Sequence, residues 1–362
     1  MCKKVMVAMS GGVDSSVAAV LLKEQGYQIC GATLRLFDNC DIGIQDKSRT
    51  CCSLADVQDA RSVAYKLDIP HYVFNFGDLF KEKVINRFAE SYLNGETPNP
   101  CIDCNRFIKF QKMLERAIFL ENDFIATGHY VKREFDSVSN RYLLKKAADH
   151  TKDQTYVLYA MTQDELSKTL FPLGGLTKDK SRKIAEERGL VNARKPDSQD
   201  ICFVPDGDYA GFLLNVLGKA SAPGDFVDQS ENFIAKHKGI INYTVGQRKG
   251  LGISNSFPLY VISKDAQNNT VVLGKNEDLF SKRLIAKDVN LIAVDKLKSP
   301  MKVTAKVRYS QTDAAAVVHP LNENEILVEF EEAQRAITPG QAVVFYDGDI
   351  VVGGGSIVCD EK

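Results

Sequence analysis

Val5-Met6-Val7-Ala8-Met9-Ser10-Gly11-Gly12-Val13-Asp14-Ser15-Ser16-Val17-Ala18-Ala19-Val20-Leu21-Leu22 is the stretch from which the fold is read. Val5 to Ala8 is an apolar run of the kind a parallel strand buries on both faces. Gly11-Gly12 interrupt it, and Val17 to Leu22 lead into Lys23-Glu24 and a helix stop at Gly26. The unit is strand, glycine turn, helix. Two glycines let the backbone curl toward an anion, Ser10, Ser15 and Ser16 add hydroxyl donors, and open N–H groups at the helix start add partial positive charge. This is a phosphate cradle; a glycine turn that holds nothing is the competing reading.

What is missing narrows the phosphate. A Walker loop ends in Gly-Lys-Ser/Thr, but here Asp14 stands near the lysine's place, and a carboxylate beside phosphates calls for Mg²⁺ between them. The dinucleotide fingerprint lacks its third glycine. Ser10-Gly11-Gly12-Val13-Asp14-Ser15 resembles the PP-loop of ATP pyrophosphatases, which implies cleavage between the α- and β-phosphates with AMP left on an acceptor.

Working outward, 362 residues exceed one ordinary α/β core and suggest two or three domains. The composition, 44% hydrophobic and 26% charged, is that of a soluble globular protein. A net charge of −1 gives no overall basic field, so nucleic acid would need a local patch. No apolar run approaches the roughly 20 residues that span a bilayer. Met1-Cys2-Lys3-Lys4 enter the first strand without a signal-peptide region, so a cytoplasmic protein without membrane contact is expected. Nine cysteines, an odd number without an export signal, argue against a disulfide framework. Cys30 reads as core, and Cys2, Cys40 and Cys359 are assigned no role.

The expected fold class is α/β. Residues 1–205 form a doubly wound parallel sheet of the adenine nucleotide alpha hydrolase type, with strands near 27–36, 70–76 and 123–129. Helices fall at 54–67, 78–94, 107–120 and a basic one at 177–189; 142–147 is a strand, and 156–160 and 164–170 are short helices. Residues 208–275 form a small mixed α+β domain, a helix over 208–217 and strands at 239–244 and 258–262 around the Gly246–Gly252 loop. Short alternating runs with Gly-Asp and Pro-Gly turns make 281–358 a closed β-barrel. Leu34 ends a strand at the crevice and is either an adenine wall or a core leucine. Gly128-His129 end another; His129 also suits a hydrogen-bonded structural role. The basic helix reads as a solvated face that can also receive phosphates.

Two cysteine loops remain. In Thr97-Pro98-Asn99-Pro100-Cys101-Ile102-Asp103-Cys104-Asn105-Arg106 the prolines exclude regular structure, so a helix is expected from Phe107. Cys104 then lies near a helix start, with Arg106 and Lys109 close by, which favours thiolate. Cys-x-x-Cys alone suggests a redox pair or half a zinc site. Cys51-Cys52 read as structural. The loop Arg194 to Phe203 carries Cys202. A nucleotide loop with two thiols on irregular loops suggests adenylation coupled to sulfur transfer. AMP becomes the leaving group, a persulfide attacks the activated carbon, and a second thiol reduces the remaining S–S bond, leaving a disulfide bond.

Ser10 to Ser15, Asn99-Pro100 with Cys104-Asn105, Gly128-His129-Tyr130, Lys152-Asp153-Gln154-Thr155-Tyr156, Asp200-Ile201-Cys202-Phe203 and Thr338-Pro339-Gly340-Gln341 are together similar to the bacterial tRNA-specific 2-thiouridylase family, over nearly the whole chain. The resemblance implies a sulfurtransferase that makes 2-thiouridine at the wobble position of Lys, Glu and Gln tRNAs. It implies ATP, Mg²⁺ and sulfur from a relay carrier protein or cysteine desulfurase. Ala8, Met9, Ser10, Gly11, Gly12, Val13, Asp14, Ser15, Leu34 and Gly128 would contact ATP. Cys202 would carry the persulfide and Cys104 would be its partner, while Asn99, Pro100 and Cys101 would face the target base. His129, Lys152, Asp153, Gln154, Arg308, Tyr309 and Gln341 would contact tRNA. Arg308 and Tyr309 also suit an RNA loop on their own chemistry, a cation beside a stacking ring, though both suit a barrel surface as well. The family form has Asp where this chain has Cys101. Three thiolates, Cys101, Cys104 and Cys202, favour iron, so a [4Fe–4S] cluster is a further expectation. Two alternatives stay open: another PP-loop ligase or amidotransferase using ammonia, and a non-catalytic tRNA-binding sulfur carrier.

Overall fold

The structure, a computed structural model, describes residues 2–37, 54–197, 201–204, 207–218 and 221–361, with side chains to residue 358. Cys40, Cys51, Cys52, Cys359's side chain and Asp200 of the Cys202 motif lie outside the described residues.

The first part runs β1 Lys4–Ala8, α1 Val13–Glu24, β2 Gln28–Arg35, α2 Leu54–Lys66, β3 His71–Asn75 and α3 Gly77–Phe80, which continues through a π-helical stretch into α4 Arg87–Leu93. Then come α5 Pro100–Asp103, a second π-helical stretch, α6 Met113–Phe119, β4 Phe124–Ala126, the hairpin β5 Val131–Asp136 and β6 Arg141–Lys146, α7 Gln163–Ser167, β7 Thr169–Leu170 and α8 Lys178–Glu187. The sheet is all parallel in the order β3-β2-β1-β4-β7. Val5, Met6 and Val7 are fully buried, which is why β1 shows no alternation. Chain order reverses between β1 and β4, so the crevice beyond their C-terminal ends lies where Ser10–Gly12 and Gly128 emerge.

The central part has α9 Tyr209–Leu217 and the mixed sheet β10-β11-β8-β9, from β8 Gly224–Val227, β9 Phe233–His237, β10 Tyr260–Asp265 and β11 Thr270–Gly274. The strand expected at 239–244 is instead a 3₁₀ turn, Ile240–Asn242. Gly239 sits at φ +115, with Ser221 where a β-carbon would lie, and this reverses the chain. Ile240 and Ile241 are apolar because they enter the core.

Strands β12 Phe280–Leu291, β13 Met301–Lys306, β14 Ala314–Pro320, β15 Glu325–Arg335, β16 Ala342–Asp347 and β17 Ile350–Glu361 follow in the ring order β12-β15-β14-β13-β16-β17, and β12–β17 pairing closes the barrel. The barrel is bound to the first part. Lys145 of β6 pairs with Ile350 of β17, and a β-carbon on Gly354 would strike the Tyr159 ring at 2.6 Å. Among the described residues no helix is long and apolar enough to cross a membrane.

Candidate active site

The glycine turn is built by its own hydroxyls. Ser15 Oγ donates to Gly12 O (3.1 Å) and accepts from Ser10 N (3.2 Å), while Ser16 Oγ donates to Gly12 O (3.0 Å). Gly12 caps α1 without a side-chain bond, so the first-turn N–H groups stay available to an anion. Ser10 is exposed, Ala8, Gly12 and Asp14 are half-buried, and Met9 and Val13 face the core. Gly11, at φ +74, has the Asp56 backbone where a β-carbon would stand, so no other residue fits. Asn192 Nδ2 donates to Gly11 O at 2.9 Å, and Lys195 Nζ reaches Gly11 O at 3.2 Å while pairing with Asp56 and Asp59 at 2.6 Å each. A β-carbon on Gly128 would lie 2.7 Å from Ser15 N, so the end of β4 lies flat on the first turn of α1.

Asp14 is not left facing the phosphate site alone. Its oxygens accept from Lys178 Nζ at 2.8 and 2.7 Å, and Tyr130 OH donates to Oδ1 at 2.8 Å. Lys178 also pairs with Asp197 (2.7 Å), which takes Arg182 (3.0 Å) and Lys152 (2.9 Å). Burial alone would raise the Asp197 carboxyl, but bonds from Lys178 and Lys152 outweigh it and hold the group below the ordinary carboxylate range. The ammonium that a Walker loop carries beside its glycines thus arrives across space, from the first residue of α8. This corrects one expectation: the basic helix is not wholly solvated, because Lys178 is buried in this ion-pair network. Tyr130, Asn192, Lys195 and Asp197 were given no role at this turn by the sequence, and Lys178 was read only as one cation of the basic helix that can also receive phosphates. One signal was present. Thr177 caps α8, so Lys178 puts a cation at a helix start, where the dipole disfavours it.

Pro100 begins a helix rather than barring one. Asn99 Oδ1 caps it by accepting from Cys101 N (3.1 Å), and proline suits the first helical position. The argument from open N–H groups therefore passes from Cys104, a turn further on, to Cys101. Cys101 is exposed, Cys104 buried and Cys202 half-buried. Cys104 belongs to a core with Phe88, Phe203 and Phe212; Cys202 and Leu34 pack against the same cluster. Phe203 is its anchor, with ring centroids 5.7 Å from Phe80, 5.5 Å from Phe88 and 5.0 Å from Phe212. The chain thereby brings Cys104 and Cys202 onto one cluster. Phe203→Ala is expected to cost about 3–5 kcal/mol, read as a lower urea midpoint at unchanged slope.

The iron–sulfur expectation fails on geometry: among the described residues no three or more His, Cys, Asp or Glu come together as a metal site. Cys101 faces solvent while Cys104 faces the core, so no step is routed through a cluster.

Tyr309 is 45% exposed, with its ring 6.0 Å from that of Tyr156. Burial raises its hydroxyl, and the charges of Asp153 and Cys101 add to this. Arg308 turns inward, donating to Val245 O (3.2 Å), Ala336 O (3.0 Å) and Thr338 Oγ1 (2.8 Å). Asp153 accepts from Ala147 N (3.0 Å) and Thr155 Oγ1 (2.5 Å), Gln154 from Tyr130 N (2.9 Å), and Gln341 donates to Thr97 O (2.6 Å). These side chains tie the crevice walls together. His129 is buried beside Phe110, bonds Thr127 Oγ1 at 2.8 Å, and is held well below the usual imidazole range by burial and then by Lys109, a setting that matches its second reading as a hydrogen-bonded structural histidine.

Three family models match: "tRNA methyl transferase HUP domain" over residues 3–206, "tRNA methyl transferase PRC-barrel domain" over 210–275 and "Aminomethyltransferase beta-barrel domain" over 281–357. The chain is 56% identical to the tRNA-specific 2-thiouridylase MnmA of Acetivibrio thermocellus, covering 98% of this chain and 99% of that protein. It is 54% identical to that of Clostridioides difficile, covering 99% and 98%. Among solved structures, a 4-thiouridine synthetase–RNA complex with bound ATP overlaps 56% of this chain and 45% of that one at 19% identity and TM-score 0.37. With relatives this similar end to end, the chain belongs to the tRNA-specific 2-thiouridylase family.

Proposed function

We propose that this 2-thiouridylase works by adenylation followed by persulfide transfer. ATP lies with its phosphates on Ser10–Ser15 and its adenine toward Leu34 and Gly128. Mg²⁺ suits this site with Asp14 as its one protein carboxylate, since Mg²⁺ keeps waters and phosphate oxygens as its other ligands. The wobble uridine leaves its stack to lie beside Asn99, Pro100 and Cys101. Its O2 attacks the α-phosphorus and pyrophosphate departs. The terminal sulfur of a Cys202 persulfide then attacks C2 and expels AMP. The Cys104 thiol attacks the Cys202 sulfur, releasing 2-thiouridine and leaving a Cys104–Cys202 disulfide that a dithiol reductant reopens. The observation that carries this reading is that Cys104, Cys202 and Leu34 all pack on one apolar cluster. Tyr309 stacks on an anticodon-loop base, and Lys152, Asp153, Gln154, Arg308 and Gln341 shape the walls against which the RNA lies. Lys, Glu and Gln tRNAs are the substrates, a persulfide-bearing carrier or desulfurase supplies sulfur, and the work is done in the cytoplasm.

The test is tRNA-dependent release of AMP and pyrophosphate, with mass spectrometry of the tRNA nucleosides. One AMP per 2-thiouridine is expected. An ammonia-using ligase would keep full activity in Cys→Ala variants, and a mere carrier would bind tRNA without consuming ATP.

A further inference from the structure

The connection between α4 and α5, Gly95 to Pro98, is gripped from two sides. α4 ends in a glycine turn, with Gly95 at φ +78, Gly95 N donating to Tyr92 O (3.1 Å) and Glu96 N to Ser91 O (2.8 Å). On one side stands Lys264 of β10, its Cβ 3.3 Å from where a Gly95 β-carbon would lie. Lys264 Nζ donates to Glu96 O (3.3 Å) and Tyr243 O (2.9 Å) and lies 5.5 Å from the Tyr92 ring centroid. On the other side stands the barrel turn. Thr97 N donates to Pro339 O (2.8 Å), and a β-carbon on Gly340 would come within 2.9 Å of Glu96 Cβ. All three parts of the chain therefore meet on one short connection, and that connection ends at Asn99, the cap of the helix carrying Cys101. An apolar side chain would dock these surfaces at less desolvation cost; the ammonium adds directed donors to two carbonyls.

We propose that Lys264 is a positioning residue for thiolation: by holding Glu96 to Tyr243 it fixes the start of α5, and with it Asn99 and Cys101, against the target base. This rests on the reading that those residues face the base. Burial pulls the Lys264 ammonium down to about 8, with Glu96 opposing in part. Of the other groups facing it, Glu96 and Tyr243 present backbone carbonyls, and the Tyr92 hydroxyl is pushed up to about 12 by burial, so it keeps its proton across this range.

The experiment is steady-state thiolation by the full chain, comparing wild type with Lys264→Met and Lys264→Arg. Lys264→Met should lower kcat about tenfold, with KM for tRNA and for ATP within about twofold, because a misplaced reacting group slows the chemical step. Arginine keeps its charge at every working pH, so the ratio of Lys264→Arg to wild-type kcat should climb above about pH 8, as wild type loses its ammonium. An unchanged kcat in Lys264→Met, or a raised tRNA KM at unchanged kcat, overturns the proposal. If Lys264→Met fails to fold, the pH ratio decides, and a flat ratio overturns it. A wild-type enzyme that makes no 2-thiouridine from ATP and tRNA brings down the functional reading, and this inference with it; a positive wild-type control keeps the two failures apart.

Discussion

Cys202→Ser abolishes 2-thiouridine formation, by about 10³-fold or more in kcat, while tRNA-dependent pyrophosphate release continues. Adenylation needs the glycine turn and the base, and the Cys202 sulfur enters only in the step that follows, held through its neighbour Phe203 in the aromatic cluster. Cys104→Ser is expected to differ. It leaves the persulfide attack intact but removes the thiol that splits the resulting S–S bond. The product is tRNA held covalently on Cys202, visible as a protein–RNA band that dithiothreitol releases. If Cys104→Ser accumulates nothing and loses pyrophosphate release as well, the assigned order of the two sulfurs is wrong. Nucleoside mass spectrometry and a non-reducing gel read both outcomes.

What the sequence made legible was local. Ser10 to Ser15 read as a strand–turn–helix phosphate cradle because its glycines, hydroxyls and helix start all fall within one short stretch. The barrel was readable because period-two alternation survives when one face of each strand is buried. Pro100 was misread because proline bars a helix interior but suits its first turn, and only the Asn99 cap distinguishes the two. Ile240-Ile241 resembled a strand because burial alone makes a residue apolar, whatever its backbone. His129 and Gln154 lie in motifs that suggested RNA contact, and His129 Nδ1 and Gln154 Oε1 each also hold a bond inside the protein, which no local pattern announces. Lys178 was hidden for a different reason: its partner Asp14 is 164 positions away, and an ion pair closed by tertiary folding leaves no periodic trace.

That ion pair carries the second large effect. Lys178→Met should reduce kcat/KM for ATP by about 10²–10³-fold, the usual cost of removing a preorganised charge from a phosphoryl site. Stability suffers too, because Asp14 and Asp197 both lose the ammonium they share. The Asp14 carboxylate is 31% exposed, so water screens part of that loss, and the penalty should fall below the roughly 3–5 kcal/mol of a fully buried broken pair. Stability and catalysis separate in the double variant Asp14→Asn/Lys178→Met. With the carboxylate neutralised as well, the unfolding midpoint should recover toward wild type, because the uncompensated charge on the glycine turn is gone. Activity should not recover, because the phosphates then meet only backbone N–H groups and hydroxyls. Full recovery of ATP turnover in the double variant would show that Lys178 merely neutralises Asp14. Continued failure with a restored midpoint, in urea melts run beside pyrophosphate assays, assigns Lys178 to the nucleotide itself when Asp14→Asn alone retains more activity than the double variant, since Asp14 is also the proposed Mg²⁺ ligand.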